Sequence, residues 1–325
     1  MMLYPLTFHP LLKERVWGGR RLETLYHKPL PPHGPIGESW EVSDRPGDIS
    51  VVANGPLAGK DLHWLLERHA DELLGPACPH PERFPLLIKI LDAEEKLSLQ
   101  VHPPADQAAA LGGEAKTEMW YIADAAPGAR LYAGLKRGVS RGEFERRIRD
   151  GTVADCFHQL PVRPGDAMFL PSGRVHAIGA GLVIFEIQQN SDTTYRVFDW
   201  NRVGLDGKPR PLHIRESLAS IDFNDVEPRL VESEFREAGV GRIRALVSNP
   251  LFRVEVWEMP GAAKQALAPG KMRILGVLDG RLRVLAPGNE AALAPGSFCL
   301  IPAGLSSVSL LAEEAASFLC IEPGK

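Results

Sequence analysis

Apolar and polar positions along this chain alternate in short runs, and the runs predict a mainly β protein with few helices. GESWEVSD (37–44) alternates like a strand, and Trp17-Gly18-Gly19 and Pro31-Pro32 break the first 60 residues into short extended pieces. FPLLIKILDA (84–93) and KLSLQVH (96–102) read as two apolar strands joined by a charged turn. EMWYIADA (118–125) and ARLYAGL (129–135) read as a hairpin around Pro127-Gly128. Three segments have helical spacing instead. In 61–75, Leu62, Leu65, Leu66, His69 and Leu73 recur on one face, and Gly75 suits a stop. In 140–151, Ser140 and Glu143 have capping-box spacing and Gly151 ends the run. HIRESLASI (213–221) predicts a short third helix.

The pattern also repeats. PGDAMFLPSGRVHAI (164–178) matches PGSFCLIPAGLSSVS (295–309): Pro164, Gly165, Pro171 and Gly173 fall on Pro295, Gly296, Pro302 and Gly304. EMWYIADA also echoes RILGVLDG (273–280), at a different offset. A repeat of this size predicts two copies of one β unit. The charged stretch VEPRLVESEFRE (226–237) suggests a boundary, giving an N-terminal domain of residues 1–228 and a smaller C-terminal β domain of residues 229–325. The repeated strand between two tight turns resembles the second motif of the cupins, whose antiparallel strands roll into a barrel. The first copy has His176 just past the second turn, and the second copy has Ser307 there, so only the first can ligate a metal at that place.

Composition narrows the function classes. The chain has 325 residues, Lys+Arg 37, Asp+Glu 41 and a formal net charge of −4. A mildly acidic chain without a basic tract makes a poor nucleic-acid binder, so an anionic ligand has to be caught by local cations. No apolar run is long enough to span a membrane, and the start lacks the layout of a signal peptide. The cysteines, Cys78, Cys156, Cys299 and Cys320, form no CxxC pair and read as free buried thiols in a reducing cytoplasm.

Four residues of the first unit form a candidate metal set: Gln100, His102, Glu118 and His176. Gln100 and His102 lie two apart on a strand and so face one side. Two imidazoles with one carboxylate suit a borderline ion, zinc first. From the residues alone, each is equally readable as a packed core or strand-start side chain. His9, His27, His33, His63, His69, His80, His158 and His213 lack any such pattern and read as structural or exposed. FEIQQNSDTTYRVFDWNR (185–202) sets Glu186 and Arg196 ten residues apart around a polar turn, readable as a site wall or a solvated tip. Lys116 lies two before Glu118, on the same side of an extended segment. Lys89 interrupts an apolar strand and has to reach solvent or find an anion.

KLSLQVHPP (96–104), AKTEMWYI (115–122), PGDAMFLPSGRVHAIG (164–179) and VIFEIQQNSDTTYRVFDWNR (183–202), with VWGG (16–19) and GESWEVSD, together resemble type I mannose-6-phosphate isomerases in their short bacterial form. The likeness covers most of residues 5–225, and the tail resembles the family's small second cupin domain more loosely. It implies a zinc-dependent aldose–ketose isomerase interconverting mannose 6-phosphate and fructose 6-phosphate. Gln100, His102, Glu118 and His176 would hold one zinc per chain. Arg196 would be the active-site arginine, with Lys116 and Glu186 handling protons and Ser98 and Lys89 near the substrate phosphate. Longer relatives carry an asparagine-histidine-lysine-proline-glutamate stretch where this chain has Ala115-Lys116-Thr117-Glu118. They also carry a helical domain for which this chain has no room. Two other readings stay open: a metal-dependent cupin acting on another sugar phosphate, and a non-catalytic sugar-binding cupin. The expected partner is a phosphorylated hexose, with no nucleic acid or membrane, and the chain acts as a monomer or homodimer.

Overall fold

The computed structural model describes residues 3–75 and 81–324; Cys78 and His80 lie outside these. Within them the chain forms two pairs of antiparallel sheets. In the first pair, a six-stranded sheet runs in the order Leu11–Gly19, Ile36–Val42, Leu86–Ala93, Leu182–Gln189, Glu118–Ala125, Ala167–Leu170. It faces a five-stranded sheet ordered Tyr195–Phe198, Leu99–Val101, His176–Ile178, Arg130–Leu135, Phe157–Pro161. In the second pair, six strands run Arg236–Ala238, Gly241–Ser248, Phe252–Met259, Ala316–Pro323, Arg273–Asp279, Phe298–Ile301. They face four strands ordered Lys264–Leu267, Val308–Ala312, Leu282–Ala286, Asn289–Leu293.

The two six-stranded sheets pack back to back. Ile88, Ile90, Phe185 and Ile187 of the first share one apolar core with Val254, Val256, Ile274 and Ile321 of the second. Phe185 and Phe298 sit ring to ring at 5.5 Å, and Leu6 exchanges both backbone hydrogen bonds with Leu300. This contact explains why the strand Leu86–Ala93 reads as a continuous apolar run: every residue of it is buried. One face meets the other half of the molecule, and the opposite face carries Lys89 and Leu91 into the space between the first two sheets. The strand Ile36–Val42 is likewise buried throughout. There the polar positions point into the molecule.

The expected hairpin at 118–135 does not form. Glu118–Ala125 and Arg130–Leu135 belong to facing sheets, so the Pro127-Gly128 turn crosses between layers. Each strand finds a better partner elsewhere, the first against Leu182–Gln189 and Ala167–Leu170, the second against His176–Ile178 and Phe157–Pro161.

The three expected helices appear as Leu62–Leu74, Arg141–Arg149 and Ile214–Ser220. Asp61 caps the first through the amide of Trp64. Ser140 caps the second through the amide of Glu143 at 3.2 Å. The box is half made, because the Glu143 carboxylate accepts from Arg147 instead. Gly151 takes the left-handed φ of 71° that a helix stop favours. Phe144 and Leu218 of these last two helices cover the outer face of the five-stranded sheet. Sequence patterning missed the short helix Arg21–Tyr26 in the region read as extended.

Candidate metal centre

Two rows of side chains meet between the first pair of sheets. In the five-stranded sheet, Gln100 pairs with His176 on one side and Arg196 on the other. Residues directly opposite in neighbouring strands share a face, so these three project together. His102, two beyond Gln100, joins them. In the facing sheet, Glu186 stands opposite both Lys89 and Trp120, and Gln188 opposite Glu118. Glu118 and Trp120 therefore share the inner face with Glu186 and Lys89.

The inner rows converge on His102, Glu118 and His176, each at most 1% exposed. One donor atom from each lies within 4.8 Å of the others. His102 Nε2 is 3.5 Å from one Glu118 oxygen, and His176 Nε2 is 3.3 Å from the other. Both rings are oriented from behind: His102 Nδ1 lies 2.7 Å from the Thr193 carbonyl, and His176 Nδ1 lies 2.9 Å from that of Arg174. A carbonyl can only accept, so each Nδ1 carries the proton and each Nε2 offers its lone pair inward. His102 Nε2 and both Glu118 oxygens are buried without a hydrogen-bond partner among the described residues. Such a cluster is costly unless something binds it, and its donor set fits a borderline divalent ion. Gln100 lies beside the cluster, its amide nitrogen 3.4 Å from His176 Nε2.

The electrostatics suit ligation. Burial, with Lys116 nearby, depresses His102 to about 3, and burial depresses His176 as well. Both rings are neutral, as a metal ligand has to be. Burial pushes the Glu118 carboxyl up, but Lys116, His102 and His176 outweigh it and hold it well below the ordinary value. The Lys116 ammonium is 3.3 Å from Glu118. Burial pulls its pKa down, while Glu118, Glu186 and Asp192 hold it above that of an ordinary lysine.

Beside this cluster opens a cavity of about 500 Å³, within the range typical of small-molecule sites. Lys89, Ser98, Gln100, Lys116, Glu186 and Arg196 line it; His102, Glu118 and His176 do not, and reach it through Gln100, 3.4 Å from His176, and Lys116, 3.3 Å from Glu118. Lys89 is not free: it pairs with Glu186 at 3.2 Å. Trp120 Nε1 donates to Glu186 at 3.0 Å, and burial raises the Glu186 carboxyl against the pull of Lys89. Among the described residues Arg196 makes no ion pair. Its Nη1 donates to the Pro211 carbonyl at 2.8 Å, and its buried Nε has no partner. Burial, with Arg210 and Arg202 nearby, lowers its pKa. His213, read as merely structural, accepts from the Arg196 amide at 3.1 Å and so backs that strand.

Sequence reasoning missed Glu38, which also lines the cavity. Arg15 grips it with two bonds of 3.1 and 3.2 Å, and Trp40 Nε1 donates at 2.7 Å. The available signal was a carboxylate at an inward position of a strand that also bears Trp40. Thr193 and Arg174, which orient the histidines, act through backbone carbonyls and leave no signal in residue type.

Fold and site together define a cupin-type protein with a His–Glu–His group between its first two sheets that could hold a metal. Residues 6–128 match the model of the phosphomannose isomerase type I catalytic domain. A probable mannose-6-phosphate isomerase of Bacillus subtilis is 36% identical over 325 residues, covering 99% of this chain and 100% of that protein. The crystal structure of the mannose 6-phosphate isomerase from Bacillus subtilis superposes with a TM-score of 0.89 at 30% identity, covering 98% of this chain and 99% of that one. A mannose 6-phosphate isomerase solved with zinc and yttrium shares the fold, with a TM-score of 0.76 at 17% identity over 99% of this chain and 100% of that one. The chain belongs to the type I phosphomannose isomerase family.

Proposed function

We propose that this chain is a zinc-dependent isomerase that interconverts mannose 6-phosphate and fructose 6-phosphate through an enediol. The observation that supports this most is the convergence of His102, Glu118 and His176, with His102 Nε2 and both Glu118 oxygens lacking a hydrogen-bond partner, beside a cavity lined by Arg196, Lys116 and Glu186. In this reading Gln100, His102, Glu118 and His176 hold one ion per chain. When bound, the ion supplies Lewis acidity toward adjacent substrate oxygens, an effect worth several kcal/mol in such sites.

The chain's own groups do the rest. The reaction moves one proton between C1 and C2 while another moves between their oxygens. Glu186 is the better-placed proton carrier: burial raises its pKa, and the Trp120 indole and Lys89 fix its two oxygens. A carboxyl tuned upward works closer to neutral pH as both base and acid. Lys116, held protonated by its carboxylate neighbours, serves as a donor to a substrate oxygen. Arg196 stays charged throughout and directs its unpaired Nε to the developing negative charge. Ser98 holds the far, phosphorylated end, which orients the reacting carbons; Lys89, expected there as well, is taken up by Glu186.

The chain is proposed to act as a monomer or a homodimer. Residues 1–228 are proposed as the catalytic domain and residues 229–325 as a structural one. A cytoplasmic setting suits Cys156, Cys299 and Cys320, which are free and buried. Among the described residues, no helix is long and apolar enough to cross a membrane. The test is fructose 6-phosphate formation from mannose 6-phosphate by zinc-loaded protein, before and after chelation. Chelator-sensitive turnover is expected. Absence of turnover on mannose 6-phosphate, with activity on another hexose phosphate, would overturn the substrate assignment.

A further inference from the structure

One four-residue turn touches all three metal-bearing elements. Pro171–Arg174 crosses from the strand Ala167–Leu170 of one sheet to the strand His176–Ile178 of the other. The Ser172 amide donates to Thr117 Oγ1 at 3.3 Å, and the two hydroxyls lie 3.1 Å apart; Thr117 is the residue before Glu118. The Gly173 amide donates to the carbonyl of His102 at 2.9 Å. The Arg174 carbonyl accepts from His176 Nδ1 at 2.9 Å. Three successive residues of the turn therefore hold the side chain of Thr117, the backbone at His102 and the ring of His176.

The turn is in turn held from outside. The Arg174 guanidinium makes a two-pronged pair with Asp225, with bonds of 2.8 and 2.7 Å. It also donates to the Phe169 carbonyl at 2.6 Å. The two side chains are only 14% and 16% exposed. Asp225 is itself fixed, because its carbonyl accepts from the Leu135 amide, and the Asp222 amide donates to the Gly173 carbonyl, both at 2.9 Å. Gly173 has a φ of +91°, and a Cβ there would meet the Ser220 carbonyl at 3.3 Å, so residues 220–225 and the turn are fitted to each other.

We propose that Arg174 and Asp225 are positioning residues of the metal centre: their ion pair locks the turn that sets the His102, Glu118 and His176 donors. This inference rests on the metal reading of that cluster. A planar guanidinium gripping a carboxylate in two places is directional in a way that a lysine is not. Groups that orient metal ligands from behind typically change metal affinity by about 10- to 100-fold when removed.

The experiment uses the metal-free full-length chain. Zinc alone is titrated in competition with a chromophoric chelator, and cobalt is bound as a probe of ligand geometry through its visible spectrum. Asp225→Asn is expected to weaken zinc binding by about 10- to 100-fold and to alter the cobalt bands, and Asp225→Glu is expected to restore much of both. Glu322→Gln breaks a comparably buried pair with Arg273 in the far sheet; it should lower the melting temperature and leave zinc affinity and cobalt spectrum unchanged. If Asp225→Asn does not fold, Arg174→Lys, which keeps the charge but loses the two-pronged geometry, takes its place with the same expectation. Unchanged zinc affinity and cobalt bands in the folded variant, whatever its melting temperature, would overturn the inference. Failure of the unaltered chain to bind zinc would instead overturn the metal reading.

Discussion

The two six-stranded sheets correspond strand for strand, yet only one of them builds a polar site. In the first, Leu170 stands opposite Glu118; in the second, Ile301 stands opposite Arg273. The turn and register are the same, and the residue at the ligand position has become a cation. Arg273 points to Glu322 at 3.0 Å instead of to a metal. The neighbouring positions have changed as well. His176 becomes Ser307, and the place of Gln100 falls at Ala268, next to the Val308–Leu267 pair. The space between the second two sheets is filled by Leu275, Val277, Val284, Cys299, Leu310 and Phe318. The second small sheet also has four strands, not five, and the missing one corresponds to Tyr195–Phe198, the strand bearing Arg196. The comparison teaches that turns and registers specify the scaffold, while a handful of inward side chains decide whether the interior becomes a site or a core.

The largest expected effect comes from removing a first-copy ligand. His102→Ala should lose bound metal and lower turnover by about 10³-fold or more, since the Lewis acid is worth several kcal/mol. Ser307→Ala, at the matching place in the second copy, should change neither; metal analysis and a steady-state assay on both variants check this. Next, Arg196→Ala removes the side chain that has no second-copy counterpart. Metal content should be retained while kcat falls by about 10²- to 10³-fold, as when one donor to developing negative charge is removed. Near-normal kcat would show that the added strand is not what separates the copies functionally.

A third substitution pushes the second copy toward the first. Arg273→Glu places a carboxylate where Glu118 stands, but against Glu322 and among apolar neighbours. It should cost about 3 kcal/mol of stability, as breaking a buried pair does, and create no second metal site. Urea unfolding and metal stoichiometry measure the two outcomes.

The smallest effect concerns Glu38, the buried carboxylate that Arg15 and Trp40 hold in the first unit. Burial pushes its carboxyl up, but Lys89 and Arg15, with the bonds from Arg15 and Trp40, hold it at about 2 against an ordinary 4.5. The folded carboxylate stays ionised where the unfolded one takes up a proton. Its stabilisation is therefore full above pH 4.5 and fades as the pH falls toward 2. Between pH 5 and pH 3 the unaltered protein should lose about 2 kcal/mol that Glu38→Gln does not lose, at about 1.4 kcal/mol per pH unit. Parallel stability curves for the two proteins would contradict the assignment.

Much of this was legible in the chain. The repeat at 164–178 and 295–309 announced two units, and the exchange of His176 for Ser307 showed which unit could bind a metal. The spacing of Gln100 and His102 placed both on one side of a strand, and Lys116 beside Glu118 proved a true neighbour in space. The sheet partners of Glu118–Ala125 and Arg130–Leu135 were not legible, because a Pro-Gly turn looks alike whether it closes a hairpin or crosses between layers. Glu38 escaped notice because alternation marks a strand without saying which face meets a site, and Ile36–Val42 is buried throughout. The pairing of Lys89 with Glu186 depends on a register between strands almost a hundred residues apart, which no local pattern encodes.

One metal centre, in the first copy, is expected to be required for isomerisation. The most direct measurement is a titration of metal-free protein with zinc, following bound metal and mannose 6-phosphate isomerisation in the same samples. Activity should rise in step with binding and level off at one zinc per chain. Full activity without zinc, or a rise that continues to two per chain, would contradict it.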